Sequence, residues 1–208
     1  MMLRSFARIL VCVLFAAAAG CARQGFDAAE RRLIAEGRGG LMRVLTIADR
    51  DDSLFLRGVS APLTARMLRT EKFSLLCRSM LATVRDSANA GVGIAAPQVG
   101  IARRMIAVQR FDKPGYPFEV YVNPEIVRRS DSLVAGPEGC LSVPDLYGRV
   151  KRAQAIELRY RDTAFVEHTE TVSGYTAVIF QHEIDHLDGV LYIDRLDFET
   201  AMRPFIAE

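Results

Sequence analysis

Two of the three histidines in this chain stand four residues apart around a glutamate, in "FQHEIDHLDG" from Phe180 to Gly189. On an α-helix, positions i and i+4 share one face, a turn apart. His182 and His186 can then direct two imidazoles at one ion. Glu183, beside the first of them, can reach toward a water held there. Two nitrogen ligands and a general base in H-E-x-x-H order are the ingredients of metal-assisted hydrolysis. A solvated helix with Glu183 and Asp185 as surface charges is the plain alternative. The apolar neighbours Val178, Ile179, Phe180, Ile184 and Leu187 oppose it, because they describe a buried helix. Unpaired histidine and glutamate are costly to bury, and a metal relieves that cost.

A hydrolytic site of this type needs a third protein ligand and an open position for water. No histidine follows His186, and Glu199 and Glu208 lie too near the C-terminal end to build a second ligating helix. The ligand is therefore expected upstream, where the candidates are His168 and Cys140. Cys140 lies in "GPEGCLSVP", where a flanking glycine lets a loop or strand end present a thiolate. A metal also accounts for a cysteine in so polar a turn.

The elements that must position these groups follow from periodicity. "ARMLRTEKFSLLCRSMLATVRDSA" carries apolar residues at three- and four-residue intervals, which predicts one amphipathic helix over 65–88. "RVLTIADRDDSLFLRGVSAPLT" reads as an extended lead-in, and "GVGIAAPQVG" as a glycine-bounded apolar loop. "RMIAVQR" and "FEVYVNPEIV" have the β-branched and aromatic character of strands, separated by the turn residues "DKPGYP". "EGCLSVPDLYGRV" is punctuated by glycine and proline. "AIELRYRD" and "FVEHTETVSG" read as two further strands, and a last helix runs over 175–187 until "DG" stops it. The tail starts extended and ends with little pattern. With no alternating βαβ series and no internal repeat, the expected class is α+β: mixed short strands around a central C-terminal metal-binding helix.

At 208 residues, half of them hydrophobic, the chain can bury one compact core with a short appendage. Its net charge is only +2 and its basic residues are dispersed, so nothing recommends nucleic acid as a partner. The four cysteines, Cys12, Cys21, Cys77 and Cys140, are too few and too far apart for a disulfide scaffold. Cys77 sits in an apolar helical pattern and reads as a small buried hydrophobe.

The start of the chain stands apart. Arg4 and Arg8 precede an apolar run from Ile9 to Gly20, too short to span a membrane comfortably. A basic beginning, an apolar core and small residues at its end describe a secretory signal segment. "AAGC" at 18–21 resembles the lipobox of bacterial lipoproteins, with Ala18 where that pattern prefers leucine. The resemblance implies lipidation at Cys21, export and a membrane tether. A plain signal peptide, an uncleaved anchor, a transit peptide or a cytoplasmic protein are the alternatives. The expected organisation is a signal or lipoprotein-like segment over 1–21, a linker over 22–42 with room for one helical turn or more in "DAAERRLIAEG", and a catalytic domain over 43–208.

"GVGIAAPQVG" at 91–100, "EGCLS" at 138–142 and "QHEIDHLDG" at 181–189 together closely resemble the three motifs of peptide deformylases, in that family's order and at about its spacing. The resemblance covers roughly residues 43–197. It implies hydrolysis of the formyl group of N-formylmethionyl peptides at one divalent metal ion, Fe²⁺ natively in the family, with Ni²⁺, Co²⁺ or Zn²⁺ as substitutes. It implies Cys140, His182 and His186 as ligands and Glu183 as general base and later acid. The Leu141 N–H and the Gln98 amide become the oxyanion donors. Glu138 and Arg152 match a supporting pair beside the cysteine loop. A methionine pocket is implied at Val92, Gly93, Tyr175, Val178 and Ile179, with an extended peptide pairing near Gly93 and Gly139. Tyr147 falls in a stretch that varies within the family, near the substrate's second side chain. A metalloprotease is the rival enzyme reading, disfavoured by the missing downstream ligand. A lipid-tethered, non-catalytic formyl-peptide binder is the rival outside enzymes. The intact Glu183 opposes it, since binding alone needs no base.

Overall fold

The computed structural model describes residues 25–196. Its centre is a five-stranded antiparallel sheet. The strands are β1 (Gly93–Ala95), β2 (Met105–Gln109), β3 (Phe118–Arg129), β6 (Ala155–Arg161) and β7 (Glu167–Ser173), in the order β1-β2-β3-β6-β7. Between β3 and β6 in sequence, β4 (Leu133–Cys140) and β5 (Val143–Ala153) form a separate two-stranded hairpin.

Strand β2 explains the layering. Its "MIAV" is buried throughout, yet successive side chains of a strand point to opposite faces. Met105 and Ala107 join one core with α1 (Ala28–Gly37) and α4 (Glu71–Arg85). Ile106 and Val108 join a second core with α5 (Gly174–Leu187). The sheet is therefore covered on both sides, and a continuous apolar run is what such a strand needs. Helix α5 is buried over most of its circumference, polar residues included. It ends in a Schellman arrangement: Gly189 takes φ +73°, and the Gly189 and Val190 N–H groups donate to the carbonyls of His186 and Asp185.

Several expectations are corrected. The lead-in contains a helix, α2 (Arg50–Leu56), capped by the Asp49 side chain. The single helix expected over 65–88 is two, α3 (Ala65–Leu68) and α4. Thr70 divides them, donating its hydroxyl to the Met67 carbonyl and capping the Phe73 N–H. Its extended backbone at φ −95°, ψ 148° breaks the turn even though the apolar spacing runs through it. The linker stretch over 22–42, with its expected room for a helical turn or more, carries the full helix α1, started by a capping box between Asp27 and Glu30. Phe26 and Ile34 bury this helix in the core, each contributing roughly 1.5–3 kcal/mol. The apolar loop at 91–100 holds β1 and a 3-10 turn, Ala96–Val99. "EGCLSVPDLYGRV" belongs to the long hairpin, and the tail folds into a 3-10 turn at Tyr192–Arg195. Among the described residues, no helix is long and apolar enough to cross a membrane. Cys21 and the segment 1–21 lie outside the described residues.

Candidate active site

Helix α5 delivers His182, Glu183 and His186, and the hairpin delivers Cys140 from the last position of β4. A register shift between Gly139 and Cys140 turns the thiol off the ladder. The ligating atoms of Cys140, His182 and His186 lie within 4.8 Å of one another. Cys140 Sγ stands 3.2 Å from His186 Nε2. His182 Nδ1 stands 2.9 Å from Glu138 Oε2; a neutral ring that donates there leaves its Nε2 as the acceptor, the state in which it can ligate a cation. Tetrahedral bonds of about 2.0–2.3 Å place ligand atoms roughly 3–4 Å apart. The sulfur and two imidazole nitrogens therefore fit one borderline divalent cation. His168, the other upstream candidate, stands on β7 and pairs with Asp162 at the surface, away from this cluster.

Burial sets the electrostatics. His186 is buried and held neutral well below the usual imidazole range, first by burial and then by the charges of His182 and Arg152. Burial pushes the Glu183 carboxyl up to about 7, with nearby Glu138 adding to the rise and His182 and Arg152 opposing it. Glu183 is 4 % exposed. Among the described residues its Oε2 and the Nδ1 of His186 have no hydrogen-bond partner. Burial alone would raise Glu138, yet its hydrogen bonds from Arg152 and His182 hold it down at about 2.

A cavity of about 560 Å³ opens over this cluster. Glu183, His182, Cys140, Leu141 and Gln98 line its floor. Val92, Gly93, Gly139, Tyr175, Val178 and Ile179 line its walls, so the residues expected for a peptide pocket are brought together. Ile179 is mostly core, whereas Tyr175 is 57 % exposed at the rim. The buried Gln98 accepts the Ala95 N–H through Oε1 at 2.8 Å, which turns its amide Nε2 toward Ser142 Oγ at 3.2 Å and Cys140 Sγ at 3.5 Å. Gly93 leaves room for the base: a Cβ there would collide with the Glu183 carboxylate, 2.8 Å from its Cδ. Strand β1 is the edge of its sheet, so one side of its backbone is open to a further strand.

Some functional partners were missed in the sequence. Asp185 is buried and salt-bridged to Arg152 and Arg195, where a surface charge was the plain alternative. Its signal was present, because residues three apart share a helix face and Asp185 follows His182 by three. Ser142, the acceptor for Gln98, lies within the "EGCLS" motif but was given no role of its own.

A polypeptide deformylase family model matches residues 43–201. The peptide deformylase of Leptospira biflexa is 40% identical over 148 residues, covering 68% of this chain and 82% of its own length. That of a Synechocystis species is 44% identical over 128 residues, covering 61% and 67%. A Met-Ala-Ser-bound class I type b peptide deformylase from Acinetobacter baumannii superposes with a TM-score of 0.68 at 36% identity, covering 76% of this chain and 99% of that one. The peptide deformylase of Thermotoga maritima gives a TM-score of 0.66 at 33% identity, covering 76% and 98%. With a family match spanning most of its length, the chain belongs to the polypeptide deformylase family.

Proposed function

We propose that this chain removes the formyl group from N-formylmethionyl peptides by hydrolysis, using Glu183 as proton carrier beside a divalent ion held by Cys140, His182 and His186. The observation that carries this reading is the buried Glu183 Oε2, without a hydrogen-bond partner among the described residues, in the lining of a cavity where three ligand atoms converge. A divalent ion held there would supply Lewis-acid activation for the hydrolysis. Glu183 accepts the proton of the attacking water and returns it to the leaving amine. The Gln98 Nε2 and the Leu141 N–H donate to the oxyanion, and the Ala95 hydrogen bond keeps the Gln98 amide from turning its oxygen inward. The methionine side chain enters the walls at Val92, Val178 and Ile179, and the peptide backbone adds to the open edge of β1 near Gly93 and passes Gly139. Turnover of formyl-Met-Ala-Ser by anaerobically purified protein of known metal content tests the reading. No deformylation by fully metallated protein overturns it.

Gly93→Ala is expected to keep its metal and lose at least about 10²-fold in kcat, the effect of a displaced general base. Metal analysis beside steady-state kinetics checks this. Unchanged kcat would show that Glu183 tolerates the shift.

We further propose that the catalytic domain is exported and tethered through a lipidated Cys21. The basic start, the apolar run and "AAGC" support this. Two acyl chains give stable anchoring, where one gives only marginal binding. Substrates would then be formylated peptides or exported formylated proteins, and oxidising surroundings favour zinc or nickel over ferrous iron at a thiolate site. Mass spectrometry of the N-terminal fragment from native membranes should find Cys21 acylated at the new N-terminus. An unprocessed Met1 in soluble protein overturns the location and leaves the chemistry standing.

A further inference from the structure

Behind the cluster, side chains of alternating charge lead outward from His182. Glu138 Oε2 accepts from His182 Nδ1. Arg152 grips both oxygens of Glu138, through Nε at 2.8 Å and Nη2 at 2.9 Å. Its remaining Nη1 donates to Asp185 at 2.5 Å. Arg195 grips both oxygens of Asp185, through Nε at 2.5 Å to the Oδ2 that Arg152 also meets and through Nη2 at 2.6 Å to Oδ1. Glu138, Arg152 and Asp185 are buried, whereas the Arg195 side chain is 42 % exposed.

We propose that Arg195 is a positioning residue for the metal cage, acting on His182 through Asp185, Arg152 and Glu138. The inference rests on the cage reading above. Buried carboxylates need paired charge. Here two of them share one internal guanidinium, and Arg195 supplies the second positive charge that balances the set. Without it, Arg152 faces two carboxylates alone and is drawn from Glu138 toward Asp185. Glu138 fixes both the rotation and the tautomer of His182, so its loosening is felt at the ligand nitrogen. The turn that carries Arg195 is itself anchored. Tyr192 donates its hydroxyl to the Leu146 carbonyl, and its ring stacks on His182 with centroids 6.0 Å apart. Asp194 accepts the Leu191 N–H. The last described turn of the chain therefore supports the cage from two directions.

The test uses the full chain loaded with Co²⁺, whose thiolate absorption reports the Cys140 bond. Release into excess chelator is timed for wild type, Arg195→Leu, Arg195→Lys, Asp185→Asn and the double variant Asp185→Asn/Arg195→Leu, with Tm measured for each. Arg195→Leu should release Co²⁺ about tenfold faster, the low end of the roughly 10–100-fold effect of losing an outer-shell partner. Arg195→Lys should restore part of the retention, returning the charge without the planar fork. The double variant should release no faster than Asp185→Asn alone, because Arg195 acts through that carboxylate. Wild-type release from Arg195→Leu, even with a lowered Tm, makes Arg195 merely structural and overturns the proposal. Additive effects in the double variant also overturn it. A wild type that takes up no Co²⁺ sinks the cage itself, whereas unchanged release from loaded Arg195→Leu sinks this inference alone.

Discussion

Glu183→Gln is expected to lose about 10²- to 10⁴-fold in kcat while keeping its full metal content. The amide has the shape of the carboxylate but cannot take the proton of the attacking water. Glu183 is not among the three clustered ligand residues, so metal should stay. The pH profile adds a second signature. A base must be deprotonated to work, so activity falls as pH drops through its pKa. Burial pushes that carboxyl up to about 7 in the absence of an ion, and a bound cation favours the anion and moves it lower. The acid limb of kcat/KM in wild type should therefore lie at or below about 7, and the residual activity of Glu183→Gln should lack it. Near-normal kcat at full metal occupancy would assign the base elsewhere.

Cys140→Ala is expected to lose its metal and, with it, activity, by more than the roughly 10–100-fold that outer-shell changes cost. Removing the thiolate leaves two histidines, below the three protein ligands of a catalytic site. Cys77→Ala is the control. Cys77 packs against the core of α1 and α4, and burial pushes its thiol up to about 12, far from a thiolate at neutral pH. Metal analysis of the purified variants checks both. Equal metal in wild type and Cys140→Ala would remove Cys140 from the cage, and metal loss in Cys77→Ala would show that the fold rather than ligation was tested.

Strands and helices with a clean local signal were legible. The alternation in 155–161 and the apolar neighbours of His182 predict β6 and α5 close to their observed limits. The break at Thr70 was not, because apolar spacing continues through it and only a side-chain cap ends the turn. Helix α1 read as no more than a helical turn or so within a linker, because its outer face is polar. Its docking depends on Phe26 and Ile34 meeting a core that the local sequence does not describe.

What the sequence by itself determined is the family and the set of candidate site residues, because their juxtaposition on one helix is short-range. His182 and His186 share a face through helical geometry, Glu183 sits beside them, and the three motifs carry the family. What only the tertiary structure decided are the pairings between distant residues. Gly93 makes room for Glu183, the Gln98 amide meets Cys140 and Ser142 of the hairpin, and Glu138, Arg152, Asp185 and Arg195 form one line of charge. Each joins separate elements whose approach is set by burying both faces of β2 and most of α5. Local periodicity records which faces are apolar. It does not record which buried carboxylate will meet which guanidinium, since any such pair satisfies the same cost of burial.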